Sequence, residues 1–119
     1  MSAEQDQDQE LADAIRALGE VFVGRLPSAL TNMENELDAI IRNSNDQVAW
    51  KNLHRHLHSL AGSAGTFGHN ELGDRARGLE HRINDMLKTD SLAVDPTRAD
   101  FLQDQRDFMV WVDAQFVKK

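Results

Sequence analysis

Apolar residues recur at intervals of three and four along almost the whole chain, and that spacing restricts it to helices. The clearest series are Phe22, Leu26, Leu30, Met33, Leu37, Ile40 and Ile41; Trp50, Leu53, Leu57, Leu60, Ala64 and Phe67; Leu72, Ala76, Leu79, Ile83 and Leu87; and Phe101, Phe108, Met109, Val112 and Phe116. Residues so spaced share one helix face, so each series reads as a core-facing stripe. No run alternates β-branched with polar residues, and only two prolines interrupt the pattern, so the chain is predicted to be all-α.

Local signals divide the pattern. Leu11, Ile15 and Leu18 mark a first helical stretch, Gln9 to Gly19, and a second runs from about Glu20 to Asn43. Pro27 predicts a kink or a fresh start there, because proline removes a backbone donor and clashes with the preceding turn. One bent helix and two separate helices both fit. Asn43-Ser44-Asn45-Asp46 reads as a turn, with Ser44 and Gln47 as a capping box for the third helix. Gly68 predicts the end of that helix, and Asn70 the cap of a fourth, from about Glu71 to Lys88. Residues 89–95 read as a loop. Asp95-Pro96 is expected to cap and open a last helix that reaches nearly to Lys119, with Trp111 off its stripe at an edge. The expected architecture is an antiparallel up-down-up-down four-helix bundle with an additional N-terminal helical segment. A flexible acidic N-terminus over 1–8 would precede a single domain over 9–119, since 119 residues suit one domain.

Composition removes several classes of function. With no cysteine, disulfides and thiolate metal sites are excluded. No apolar run approaches the roughly 20 residues of a membrane span. The first ten residues are acidic and polar, the opposite of a signal peptide, so a cytoplasmic location is expected; a free-standing protein and a piece of a larger one both fit, with Met1 and the acidic start leaning towards the former. The net charge of −7 offers no basic footprint for nucleic acid. Arg55, Arg75, Arg77 and Arg82 form the one local basic cluster, which reads either as solvated helix faces or as a collar for an acidic partner.

The third helix carries the candidate chemistry. In His58-Ser59-Leu60-Ala61-Gly62-Ser63-Ala64-Gly65-Thr66-Phe67-Gly68 a histidine is followed by small residues. Each glycine costs a helix interior roughly 1 kcal/mol relative to alanine, a cost that is accounted for if something large must approach the histidine. His58 follows the buried Leu57, so it is expected on the flank of the bundle. Its neighbours one turn away are His54, Arg55, Ala61 and Gly62, with Gly65 a turn further on. Neutral imidazole, with an unperturbed pKa of about 6.5, is a nucleophile near pH 7. The chain has no Gly-x-x-x-x-Gly-Lys loop and no kinase signature, so any phosphate must come from elsewhere. His54 and His58 have a spacing that can bind metal, but no carboxylate stands in the Glu-x-x-His arrangement, and no metal site is expected. His54 is followed four residues later by His58 where His58 is followed by Gly62, which favours His58 as the reactive one. His56 is expected at a helix edge, and His69 and His81 on the surface.

These residues carry a family resemblance. Leu57 to Ala64, continuing to Phe67-Gly68, resembles the motif of histidine-containing phosphotransfer (HPt) domains. Leu79-Glu80 and the segment Phe22 to Leu30 with Pro27 resemble further parts of that family, over roughly residues 20 to 116. The resemblance implies a phosphoryl carrier of two-component phosphorelays, without an ATP site of its own. His58 would be phosphorylated through Nε2 and exchange the group with the aspartate of a response-regulator receiver domain or a hybrid histidine kinase. Magnesium would belong to the partner, and no cofactor to this chain. Gly62 would admit the receiver, on a docking surface of His54, Arg55, Ala61, Gly62 and Gly65. Glu80 would accept a hydrogen bond from the other ring nitrogen. The family's usual lysine three residues after the histidine is Ala61 here, with Arg55, Arg75 and Arg77 as candidates to steady the phosphoryl group. A monomer is expected. The alternative is a helical module that binds a receiver or another signalling protein without carrying phosphate.

Overall fold

The computed structural model describes residues 3–118, and every regular element among them is helical. In chain order these are α1 (Ala3–Gly24), α2 (Leu26–Arg42), α3 (Gln47–Thr66), α4 (Asn70–Lys88) and α5 (Thr97–Val112), followed by a π-helical turn, Asp113–Val117. The break between α1 and α2 falls at Arg25, so the two stretches are separate helices. Pro27 sits in the first turn of α2, where its missing N–H is no loss.

The four helices α2 to α5 surround one core. Met33, Ile40, Trp50, Leu53, Leu57, Leu72, Ile83, Phe101 and Val112 are its most buried members. α3 lies along α4 on one side and α2 on the other, and α5 packs against both α4 and α2. The Trp50 and Phe101 rings meet at 5.4 Å, tying the start of α3 to the start of α5.

The helix ends differ in part from the sequence signals. Asp46, not Ser44, caps α3, accepting from the backbone N–H of Ala49 at 3.0 Å. Ser44 is used otherwise: its carbonyl accepts from Trp50 Nε1 at 2.9 Å and its hydroxyl from Arg98 at 2.8 Å. Asn70 is the first residue of α4 and not its cap, a position taken by His69 without a side-chain hydrogen bond. Gly68 does close α3, with φ of +81°, in the left-handed region that glycine enters without strain. At the other end Pro96 occupies the cap of α5, and Asp95 pairs with Arg98 at 3.1 Å. Lys119 and the first two residues of the expected flexible segment lie outside the described residues.

Residues 3–8 of that segment are helical and continue α1. Nothing before Gly19 breaks a helix, and Glu4 and Asp6 in the first turn complement the positive end of its dipole. No residue of α1 is buried. Its stripe, read as core-facing, leaves Leu11 61% and Leu18 58% exposed, because only the final turns reach the bundle. There Gly19 lies against Phe67, and Phe22 stacks on both Phe67 and His69. His69 is thus half-buried between Phe22 and Phe116, a correction to its surface assignment.

Candidate functional site

α3 and α4 run antiparallel and unusually close. A Cβ built on Gly73 of α4 would lie 3.3 Å from the carbonyl oxygen of Ala61 and 3.6 Å from both the Ala64 Cβ and the Gly65 nitrogen. Ala61, Ala64, Gly73 and Ala76 are all buried, so small residues on both helices make the contact. Two turns along α4 from Gly73, the same register brings Glu80 level with His54 and His58. Gly73 was not singled out from sequence, although a glycine inside an amphipathic helix is the available signal for such a close approach.

His58 stands on the outer flank of α3 with its side chain 72% exposed. Its Nδ1 lies 2.7 Å from Oε1 of Glu80, whose side chain is only 11% exposed. A carboxylate only accepts, so in the neutral imidazole this contact places the ring proton on Nδ1 and leaves the Nε2 lone pair free. The two ring nitrogens diverge, and fixing Nδ1 on α4 turns Nε2 outward. Glu80 is therefore not a solvated carboxylate of the α4 surface.

The space beside the ring is open. A Cβ built at Gly62 or at Gly65 would meet nothing within 4 Å, and both residues are exposed. Neither glycine is required by packing inside the chain, in contrast to Gly73. Arg55 is exposed one turn before His58 and donates to Asn52 at 2.6 Å.

The remaining predicted site residues separate. Ala61 is 2% exposed and faces α4, so it is removed from the docking surface: about 60° of helical rotation separates it from His58, enough to turn it inward. His54 is also turned towards α4. Its Nε2 is buried, has no hydrogen-bond partner, and lies 3.6 Å from Glu80 Oε1. The His54 and His58 rings are nearly parallel, at 9° with centroids 6.4 Å apart. Arg77 lies on the α4 flank one turn before Glu80 and pairs with Asp74 at 3.3 Å. Arg75 points elsewhere, about 140° round α4 from Glu80. Its guanidinium sits 4.2 Å over the Trp111 ring and pairs with Glu71, which rules it out as a neighbour of the histidine. Arg82 likewise pairs with Asp104 of α5 at 2.6 Å. The basic cluster thus divides between two sides of α4. Among the described residues no group of three or more His, Asp or Glu side chains is arranged to hold a metal ion, and no helix is long and apolar enough to cross a membrane.

The helical module thus carries an outward-facing histidine whose Nδ1 contacts a buried carboxylate on the neighbouring helix. Residues 17–107 match the family model of the Hpt domain, and the chain belongs to that family. Hpt domains are phosphocarrier modules of phosphorelay signalling, and histidine phosphotransfer follows for this chain. Comparison with curated proteins and with solved structures found no match.

Proposed function

We propose that the chain exchanges a phosphoryl group between Nε2 of His58 and the aspartate of a receiver domain. The single observation that carries this reading is the 2.7 Å contact between His58 Nδ1 and the buried Glu80 carboxylate, made beneath an otherwise exposed ring. It prepares the nucleophile and the leaving group alike. In the forward step the Nε2 lone pair attacks phosphorus, the N–P bond forms, and the bond from phosphorus to the aspartyl oxygen breaks with its electron pair going to that oxygen. The ring keeps its Nδ1 proton and becomes cationic, next to the Glu80 carboxylate. In the reverse step the N–P electron pair returns to Nε2 and the ring leaves neutral. No proton has to move in either direction.

The donor's acid pocket and magnesium belong to the receiver, and this chain supplies position: a fixed nucleophile on a rigid helix beside open space at Gly62 and Gly65. Arg55 on α3 and Arg77 on α4, each about one turn from the His58–Glu80 pair, would supply the basic rim suited to an acidic receiver pocket. The helix order and the antiparallel α3–α4 pair fit the up-down-up-down topology, with α1 as its leading helix.

The test is transfer from receiver domains charged with acetyl phosphate to the wild-type chain and to His58→Gln. The expected result is acid-labile, base-stable phosphate on the wild type and none on the variant. Phosphate retained by His58→Gln would refute the assignment, and no labelling of the wild type by any receiver or kinase of its organism would favour an interaction module instead.

A further inference from the structure

Glu80 faces two histidines, and only His58 is used by the proposed transfer. His54 turns its Nε2 to the same carboxylate oxygen, at 3.6 Å, from a position where that nitrogen reaches no solvent and no hydrogen-bond partner. A lone pair on Nε2 would lie near a carboxylate oxygen with no solvent to screen it, an unfavourable arrangement of two negative ends. A proton there reverses the sign, so the electrostatics assign His54 the tautomer with hydrogen on Nε2. At 3.6 Å this is an attraction longer than a hydrogen bond.

We propose that His54 is a positioning residue for the phosphotransfer: its Nε2–H holds Glu80 Oε1 in line with His58 Nδ1 and thereby keeps His58 in its reactive tautomer. The transfer half of this statement rests on the reading of His58 given above. Both rings approach the same oxygen, at 2.7 Å from His58 Nδ1 and 3.6 Å from His54 Nε2, from consecutive turns of α3, and they lie nearly parallel. Without the second donor the Glu80 side chain gains rotamers that leave His58 Nδ1 unpaired. His58 can then place its proton on Nε2, where it blocks the lone pair that attacks phosphorus. His54 touches neither phosphorus nor partner in this scheme, and acts through Glu80 alone.

The comparison is between His54→Phe, which keeps a flat ring and removes the donor, and His54→Gln, whose amide nitrogen can stand where Nε2 stands. His54→Leu, also without a donor, serves if the phenylalanine variant does not fold. Two quantities are read on the full chain: the ring ¹⁵N shifts of His58, which report its tautomer without any phosphate, and the rate of transfer from an acetyl-phosphate-charged receiver. The donor-free variants are expected to move His58 towards the Nε2–H tautomer and to slow transfer about 2- to 3-fold, the low end of a hydrogen-bond contribution, because the 3.6 Å contact is longer than a hydrogen bond. His54→Gln is expected to restore both. Unchanged shifts and rates in the donor-free variants would overturn the proposal, as would a shifted tautomer with unchanged transfer. Equal loss in all three variants would overturn it too, by showing that the ring matters only as packing. If the wild type itself takes no phosphate, the functional reading fails, while the ¹⁵N shifts still decide whether His54 positions Glu80.

Discussion

Replacing Gly62 separates what the fold needs from what a partner needs. Gly62 lies in the interior of α3, four residues after His58, and a Cβ at that position meets no atom within 4 Å. Glycine in a helix interior is less favourable than alanine by about 1 kcal/mol, and glutamine ranks close to alanine. With no clash to subtract, Gly62→Ala is expected to stabilise the chain by about 1 kcal/mol, and Gly62→Gln by slightly less. For a domain of this size that raises the melting temperature by about 4 °C. The hydrogen bond from the Thr66 hydroxyl to the Gly62 carbonyl involves backbone only on the glycine side and is retained. Transfer should respond in the opposite sense. The reacting atoms must come within about 3–3.5 Å, and a misplacement of 1 Å can cost about 100-fold, so the glutamine side chain, standing where a receiver would seat, is expected to slow transfer by about 100-fold or more. Thermal melts followed by circular dichroism give the first quantity and a time course with a phosphorylated receiver the second. A lower melting temperature for Gly62→Ala would refute the argument that no internal contact requires this glycine. Transfer by Gly62→Gln within twofold of wild type would place the partner elsewhere.

Two further outcomes are expected. Gly73→Val sets a branched side chain against the Ala61 carbonyl, where even a bare Cβ would sit at 3.3 Å, and should lower stability by about 1–3 kcal/mol as an overpacked contact; by spreading α3 from α4 it should also shift the His58 ring ¹⁵N resonances, and unshifted resonances would show that helix spacing does not set the His58–Glu80 contact. At the start of α5, the hydrogen bond from Arg98 holds the Asp95 carboxyl below its usual range, with the nearby positive charge of Arg98 acting in the same direction. A depressed carboxyl contributes stability above its unfolded pKa and loses it as pH falls through the folded value. Asp95→Asn should therefore melt slightly lower than wild type near pH 7 and together with it at pH 2, and a difference that persists at pH 2 would have another origin.

Much of this architecture was legible because helical spacing is written in apolar residues. The stripes of α3 and α4 are legible nearly as they are buried, with Met86 in place of Leu87 at the end of α4. On α2 the spacing places Leu26, Met33, Leu37 and Ile40 inward but fails at Ile41, which is 51% exposed, and Gly68 ends α3 where its positive φ requires. Polar or small residues doing apolar work were missed. On α5 the buried row is Phe101, Leu102, Gln105, Phe108 and Val112; Gln105 fills a core position and donates to Met33 Sδ at 3.6 Å, and a pattern of apolar letters passes over it. The α1 stripe failed in the other direction. Leu11, Ile15 and Leu18 have the spacing of a buried face, but spacing cannot say whether a helix lies on the core or runs past its end. The site divides the same way. His58 and Gly62 stand out by residue type and Glu80 through the family resemblance, whereas His54 and Ala61, which share the three-and-four spacing of Trp50, Leu57 and Ala64, are turned towards α4 by the helix rotation of about 100° per residue.

Ala61 shows why that rotation matters to the chemistry. Resemblance to the family leads to a lysine at this position; the chain instead has a buried alanine in the tightest part of the α3–α4 contact. A lysine stem at 61 would have to pass between the helices or bend outward along them, with its ammonium near the carboxylate that holds His58. The small residues at 61, 64, 73 and 76 let the helices close, and the closure carries Glu80 to 2.7 Å from Nδ1. On the proposed reading the carrier is therefore stabilised at the ring, where the carboxylate balances the positive charge that phosphorylation creates, more than at the phosphoryl oxygens. Those oxygens would leave the ring on its exposed side, with Arg55 one turn back along α3, and would meet their strongest cations in the metal and basic groups of a docked receiver. On that reading the arrangement would couple the departure of the phosphoryl group to the arrival of a partner.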